Sequence, residues 1–135
     1  MGLFDWDPRY DIGVDAMNRE HKTLLDLMAK LHAACEAKAA KPAIVSALDT
    51  LARYTVQHFK DEEAYMEKIA YRDRKGHAII HENLLGKLEE HRKAFVNGRE
   101  LVLSGDFFQF LKLWLSSHIM GIDVRYAPGA LKKSA

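Results

Sequence analysis

The stretch HFKDEEAYM, residues 58–66, places His58 and Glu62 four positions apart on the inward side of a predicted helix. At ~100° of rotation per residue, positions i and i+4 differ by only ~40°, so both side chains can reach one site. A carboxylate that is buried without a partner is very costly, so Glu62 needs a cation beside it. The inward faces of the predicted helices carry histidines and no lysine or arginine, and neutral histidines are common metal ligands. We therefore expect a metal site around Glu62.

Helical periodicity is strong along the chain, whereas the alternation typical of strands is weak. The pattern predicts four helices, at about Asn18 to Lys38, Pro42 to Ile69, Asp73 to Asn97 and Ser104 to Ile122. Asn18 and Ser104 are the expected N-caps of the first and fourth helices. Four amphipathic helices with short connections are typical of an all-α, antiparallel up-down-up-down four-helix bundle.

The 135 residues suggest one domain, residues 1–135. We expect an extended N-terminal arm at 1–17 anchored by Trp6, a bundle at about 18–125 and a loose tail at 126–135. The balanced charge, net +1, and the lack of long basic or apolar runs argue against nucleic-acid binding and a membrane span. The N-terminus lacks a secretory signal, and Cys35 is the single cysteine, so we expect a cytoplasmic protein without disulfides.

The position of each histidine along the bundle axis predicts whether it can reach the site. In an up-down bundle, the start of the first helix, the end of the second, the start of the third and the end of the fourth share one level. That level holds His21, His58, Glu62, His77, His81 and His118. His32 and His91 lie ~16 Å and ~15 Å further along their helices, which favours hydrogen-bonded histidines outside the site. Asp123 lies ~140° from His118 on an ideal helix, so it can join the site only if the last turn is frayed or bent.

Five histidines and two carboxylates are too many ligands for one metal ion, since a structural zinc takes four. The set suits two metal ions bridged by carboxylates, and the mixture of imidazole and carboxylate favours iron, manganese or zinc. The segment HAIIH, residues 77–81, is not a zinc-protease motif, because Ala78 stands where that motif needs a catalytic glutamate.

Several segments together resemble the bacterial hemerythrins, from Trp6 to about Pro128. They are WDPRYDIGVDAMN (6–18), REHKTLLDL (19–27), HFKDEEAYM (58–66), HAIIH (77–81) and FLKLWLSSHIMGID (110–123). The resemblance implies two iron ions, cycling between Fe²⁺ and Fe³⁺, with an oxo or hydroxo bridge and O₂ as ligand. It implies that His77, His81 and His118 bind one iron, that His21 and His58 bind the other, and that Glu62 and Asp123 bridge both.

The resemblance also implies reversible O₂ binding, for storage, delivery or sensing, at a position left open on the iron with two histidines. Leu24, Phe59, Trp114 and Ile119 resemble the family's apolar pocket wall, and simple core packing is a substantial alternative for each of them separately. The sequence leaves open whether Ser116 or Ser117 faces this pocket.

Two other functions remain open from the sequence. One is a di-iron enzyme, namely an oxidase, a peroxidase or a nitric-oxide-handling protein, and the other is an iron or redox sensor. Di-iron oxidases of the ferritin-like type use glutamate-rich ligands with Glu-x-x-His pairs. The inward sites here are rich in histidine and lack such pairs, which favours a carrier over an enzyme. Any O₂-consuming or reducing partner protein is unknown from the sequence.

Overall fold

The computed structural model describes residues 3–121 and 123–126, and within them the chain is helical without strands. Four α-helices follow one another along the chain: α1 (Asp15–Glu36), α2 (Lys41–Lys68), α3 (Arg74–Asn97) and α4 (Gly105–Gly121). Short 3₁₀ helices lie at Pro8–Tyr10 and Asp123–Tyr126. The predicted all-α four-helix bundle is confirmed.

The short connections explain why consecutive helices pack side by side. Residues 37–40, 69–73 and 98–104 join the four helices, and none of these segments is long enough to return along the bundle. Consecutive helices therefore alternate in direction, with α1 packed on α2 and α2 packed on α3. The start of α1, the end of α2, the start of α3 and the end of α4 consequently share one end of the bundle.

The bounds of the last three helices lie within a few residues of the prediction. Pro42 occupies the first turn of α2, where its missing N–H costs nothing. The Ser104 hydroxyl accepts a 3.2 Å hydrogen bond from the Phe107 N–H, as expected for an N-cap. The predicted helix end at Ile122 and the tail from residue 127 onward lie outside the described residues.

The prediction that Asn18 caps the first helix is wrong, because α1 begins at Asp15. Asn18 lies inside the first turn, and its side chain connects the helix to the N-terminal arm. Its carbonyl oxygen accepts from the Ile12 N–H at 3.1 Å, and its amide donates to Asp11 Oδ1 at 2.8 Å. Asn18 therefore does not cap the helix; it accepts a hydrogen bond from a buried backbone N–H of the arm.

The arm is anchored more deeply than Trp6 alone would allow. Trp6 is only partly buried, against the edge of the Tyr10 ring at 5.5 Å and under the Lys22 ammonium at 4.7 Å. The more deeply buried arm residues are Phe4, Tyr10, Ile12 and Val14, which join the apolar core of the bundle.

Apolar side chains of α1, α2 and α4 fill the centre of the bundle. Those that are completely inaccessible to solvent include Leu24, Met28, Leu31, Ile44, Leu48, Leu51, Leu111 and Ile119. None of the described helices is long and apolar enough to cross a membrane. The cytoplasmic location stays a prediction.

Candidate metal centre

Nine polar or charged side chains are buried among the described residues, and seven of them are the predicted site residues. The other two are explained by local contacts, since Asn18 holds the arm and the Thr55 hydroxyl donates to the Leu51 carbonyl. The seven lie at one end of the bundle: His21, His58, Glu62, His77, His81, His118 and Asp123. Five histidine rings therefore surround Glu62 and Asp123 and offset the free-energy cost of burying these two carboxylates.

The seven side chains form two overlapping groups, and within each group one ligand atom per residue lies within 4.8 Å of all the others. The larger group contains Glu62, His77, His81, His118 and Asp123, and the smaller one contains His21, His58, Glu62 and Asp123. Only the two carboxylates belong to both groups. The site thus consists of a three-histidine side and a two-histidine side that share Glu62 and Asp123.

The two oxygens of Glu62 face different sides of the site. Oε1 lies 2.9 Å from His77 Nε2 and 2.8 Å from His81 Nε2, on the three-histidine side. Oε2 lies 3.7 Å from the Nε2 atoms of both His21 and His58, on the two-histidine side. This is the orientation that a carboxylate needs in order to bridge two cations.

Asp123 has the same orientation because α4 ends before it. The α-helix stops at Gly121 and a 3₁₀ helix begins at Asp123, which removes the ~140° separation from His118 that an ideal helix would impose. Asp123 Oδ1 lies 2.8 Å from His118 Nε2 and 3.0 Å from His77 Nε2, while Oδ2 lies 3.1 Å from His21 Nε2. The change of helix type therefore brings the second carboxylate into the site.

The polar atoms at the centre of the site fit metal ions better than they fit one another. His77 Nε2 and His118 Nε2 lie 3.1 Å apart. If one ring donates its proton to the other, that proton is not available to the carboxylate oxygens that lie equally close to these rings. His21 Nε2 and both oxygens of Asp123 are buried and close to each other or to other rings, but none of these close contacts has the geometry of a hydrogen bond. Buried polar atoms are rarely unpaired, so a cluster of them aimed at one space indicates cations held between them. Imidazole and carboxylate together are donors that iron, manganese and zinc accept.

The pKa values show how strongly the site favours positive charge. Burial disfavours the protonated rings of His21 and His118, but Asp123 and Glu62 outweigh it and raise the pKa of each ring to about 9. Burial and the charge of Glu62 act to raise the pKa of Asp123, yet the histidines lower it to about 2. Burial likewise opposes ionisation of Glu62, and the surrounding histidines still hold its pKa well below the ordinary value. The carboxylates therefore stay ionised, and metal ions compete with protons for the rings.

Three residues that the sequence analysis did not name contact the site residues from outside. Glu20 accepts from His58 Nδ1 at 2.7 Å, and Glu63 accepts from His81 Nδ1 at 2.8 Å. The Tyr126 hydroxyl donates to Glu62 Oε2 at 2.9 Å. Such contacts fix the orientation of a ring or carboxylate and leave the histidine Nε2 free to bind a metal.

Glu20 and Glu63 each follow or precede a site residue directly in the chain, but each binds a histidine of the neighbouring helix. No spacing rule along one helix could therefore have found them. Tyr126 lies in the 3₁₀ helix after α4, where the sequence pattern predicted only loose structure. Burial, and then the charge of Glu62, raise the pKa of the Tyr126 hydroxyl far above its ordinary value, so it remains a proton donor.

The four predicted wall residues are all buried. Phe59 stacks on the His81 ring at 3.8 Å with an angle of 3° between the planes, and it meets the Trp114 ring edge-on at 6.0 Å. Leu24 and Ile119 are completely inaccessible to solvent. Neither serine adds a polar group to this wall, because Ser117 is exposed and the Ser116 hydroxyl donates to the Lys112 carbonyl of its own helix.

His32 and His91 lie outside both groups. The His32 ring packs edge-on against Phe4 and Phe108, and its Nε2 lies 3.4 Å from Glu36 Oε1. His91 contacts the rings of Phe107 and Phe110. Both histidines therefore have local partners away from the site.

Comparison with known proteins gives one consistent family. The family described as Hemerythrin HHE cation binding domain matches residues 12–130. The bacteriohemerythrin of Methylococcus capsulatus is 34% identical over 129 residues, which cover 95% of this chain and 97% of the relative. The hemerythrin-like protein of Naegleria gruberi is 33% identical over 124 residues, which cover 91% of this chain and 90% of the relative. A crystal structure of wild-type hemerythrin matches with a TM-score of 0.86 and 32% identity, over 96% of this chain and 98% of that one.

The fold and the site define a four-helix protein with a buried histidine and carboxylate centre able to bind metal. The chain belongs to the hemerythrin family, whose members bind O₂ at a non-haem di-iron site.

Proposed function

We propose that this chain binds O₂ reversibly at a pair of non-haem iron ions, for storage, delivery or sensing of O₂. The proposed ligands are His77, His81 and His118 for one iron and His21 and His58 for the other. Glu62 and Asp123 would hold both irons, together with an oxo or hydroxo group. The observation that supports this most directly is that each carboxylate turns one oxygen to each side of the site.

The unequal number of histidines supports O₂ binding at one iron only. The three-histidine side offers three nitrogens and one oxygen from each carboxylate, and these would hold one iron together with an oxo or hydroxo group. The two-histidine side offers one nitrogen fewer, which leaves one position for an external ligand. When bound, the iron pair supplies the redox chemistry that holds O₂.

The protein's own residues orient the ligands and exclude water. Glu20 and Glu63 each hold one histidine ring by its Nδ1, and Tyr126 holds Glu62. Leu24, Phe59, Trp114 and Ile119 form a buried apolar wall that limits the access of water and protons. A dry wall favours the release of unchanged O₂ over its conversion to product, so we propose a carrier and not an oxidase.

Oxygen uptake distinguishes a carrier from an enzyme. Reduced, iron-loaded protein should take up about one O₂ per iron pair and then stop, because only one side of the site has an open position. With an excess of reductant present, an oxygen electrode should record no sustained consumption beyond slow autoxidation. Rapid consumption over many turnovers would instead assign the site to a di-iron oxidase.

A further inference from the structure

Five exposed cationic side chains lie at the end of the bundle that holds the metal centre. Lys68 ends α2, Arg72 lies in the connection to α3, and Arg125 lies in the C-terminal 3₁₀ helix. Arg74 and Lys75 begin α3. Burial and the charge of Asp73 raise the pKa of the Tyr71 hydroxyl, and the charge of Arg125 opposes them, which places Arg125 beside the connection. We call Lys68, Arg72, Arg74, Lys75 and Arg125 the basic patch.

The basic patch concentrates the positive charge of the protein. Three carboxylates, Glu63, Glu67 and Asp73, lie close to its five cations, so the patch and these neighbours together carry about +2 while the whole chain carries +1. The rest of the chain therefore sums to slightly negative. None of the five cations forms a salt bridge with another described residue. They remain available to an external partner.

Two short paths connect the basic patch to the metal centre. The Glu63 side chain is 41% exposed and also accepts from His81 Nδ1, whose ring belongs to the three-histidine group. On the other path, the Tyr71 ring lies 6.2 Å from the Tyr126 ring, and Tyr126 donates to Glu62. One or two side chains thus separate the surface of the patch from the site, which suits electron transfer from a docked donor.

A shallow cavity marks where a partner could approach. It has a volume of about 200 Å³ and is lined by Glu63, Glu67, Arg74, Lys75 and Ala78. The cavity thus combines two cations of the basic patch with the carboxylate that contacts His81. Its two cations and two carboxylates balance, so the attraction for a negatively charged protein comes from the other cations of the basic patch around it.

We infer that the basic patch is the docking surface of a small acidic protein that donates single electrons to the iron pair. This inference rests on the proposed function. Each docked donor is oxidised by one electron, and two such encounters convert two ferric ions to two ferrous ions. Attraction between opposite charges steers such partners together and fixes their orientation. Electron transfer from a donor docked at the basic patch would thereby return oxidised protein to the reduced form that binds O₂.

The test uses iron-loaded diferric protein and a reduced acidic ferredoxin as the donor, with rates measured by stopped-flow absorbance. The variant Arg72→Glu/Lys75→Glu reverses two charges of the patch. The control Lys93→Glu/Arg99→Glu makes the same change in net charge near the far end of α3. Lys93 lies ~27 Å from Lys75 along the axis of this helix. All four side chains are exposed.

The patch variant should be reduced roughly tenfold or more slowly at low ionic strength, and the difference should shrink as salt is added. The control variant should be reduced at nearly the rate of the unmodified protein. Equal slowing of both variants, or no slowing of either, would overturn the docking surface. Slowing that persists at high salt would overturn it as well.

A small uncharged hydroquinone reductant separates docking from other effects of charge. All three proteins should react with it at similar rates, since it does not depend on the basic patch. If the patch variant is equally slow with this reductant, its iron potential has changed and the docking inference is wrong. Reversible O₂ binding by the hydroquinone-reduced protein tests the proposed function separately, because the ferredoxin rates follow iron reduction without O₂.

Discussion

Replacing His118 with alanine should remove most of the bound metal. The His118 Nε2 lies 2.8 Å from Asp123 Oδ1 and 3.1 Å from His77 Nε2, at the centre of the three-histidine group. Its loss takes away one of the three proposed histidine ligands and leaves a buried carboxylate with fewer cationic partners. Iron content should fall from about two per chain to below about one, because structural ligands determine both metal occupancy and geometry. Metal analysis of the purified variant measures this directly.

The matched control is His91→Ala, which removes the same side chain from a position outside the site. His91 contacts only the rings of Phe107 and Phe110 among the described aromatic residues, so the variant should keep about two irons per chain. A modest loss of stability from the missing ring contacts is expected. Equal metal loss in both variants would contradict the assignment of histidines to the site.

Replacing Glu62 with glutamine should weaken the binding of both metal ions together. Glu62 is completely buried, belongs to both groups, and turns Oε1 and Oε2 to opposite sides. The amide keeps the shape of the side chain but removes its charge and one of its two oxygens. We expect affinity to fall by more than roughly 100-fold, beyond what the loss of an outer contact typically causes. Chelator competition measures the affinity.

Glu63→Gln is the control for this change, because it alters the next residue in the chain in the same way. Glu63 accepts a hydrogen bond from His81 Nδ1 and belongs to neither candidate metal group, and the carbonyl of glutamine can still accept that hydrogen bond. Its affinity for metal should fall by no more than roughly tenfold. If the Glu63 variant loses as much metal as the Glu62 variant, then Glu62 is not a bridging ligand.

Much of the site could be predicted from the sequence because helical spacing determines it. His58 with Glu62, and His77 with His81, are pairs at i and i+4, so the regular rotation of a helix places each pair on one face. The short connections then set which helix ends meet. Asp123 could not be placed in this way, since its position depends on a change from α-helix to 3₁₀ helix after Gly121.

The features that the sequence did not reveal all depend on contacts between separate elements. Asparagine is a common N-cap residue, yet the Asn18 side chain binds the arm at Asp11 and Ile12. Glu20 and Glu63 bind histidines of neighbouring helices. In the sequence, nothing distinguishes them from glutamates on an ordinary helix surface. Local periodicity does not encode such contacts, because the partner is chosen by how the helices pack.

The most direct test of reversible O₂ binding is the optical spectrum of the reduced protein before and after O₂ is added, with iron measured on the same sample. The proposed di-iron centre predicts about two irons per chain, consistent with ligands too numerous for one metal. It also predicts a coloured form that appears with O₂ and disappears on deoxygenation, over repeated cycles. A single zinc per chain, or a colour that forms once and cannot be reversed, would contradict reversible O₂ binding at a di-iron centre.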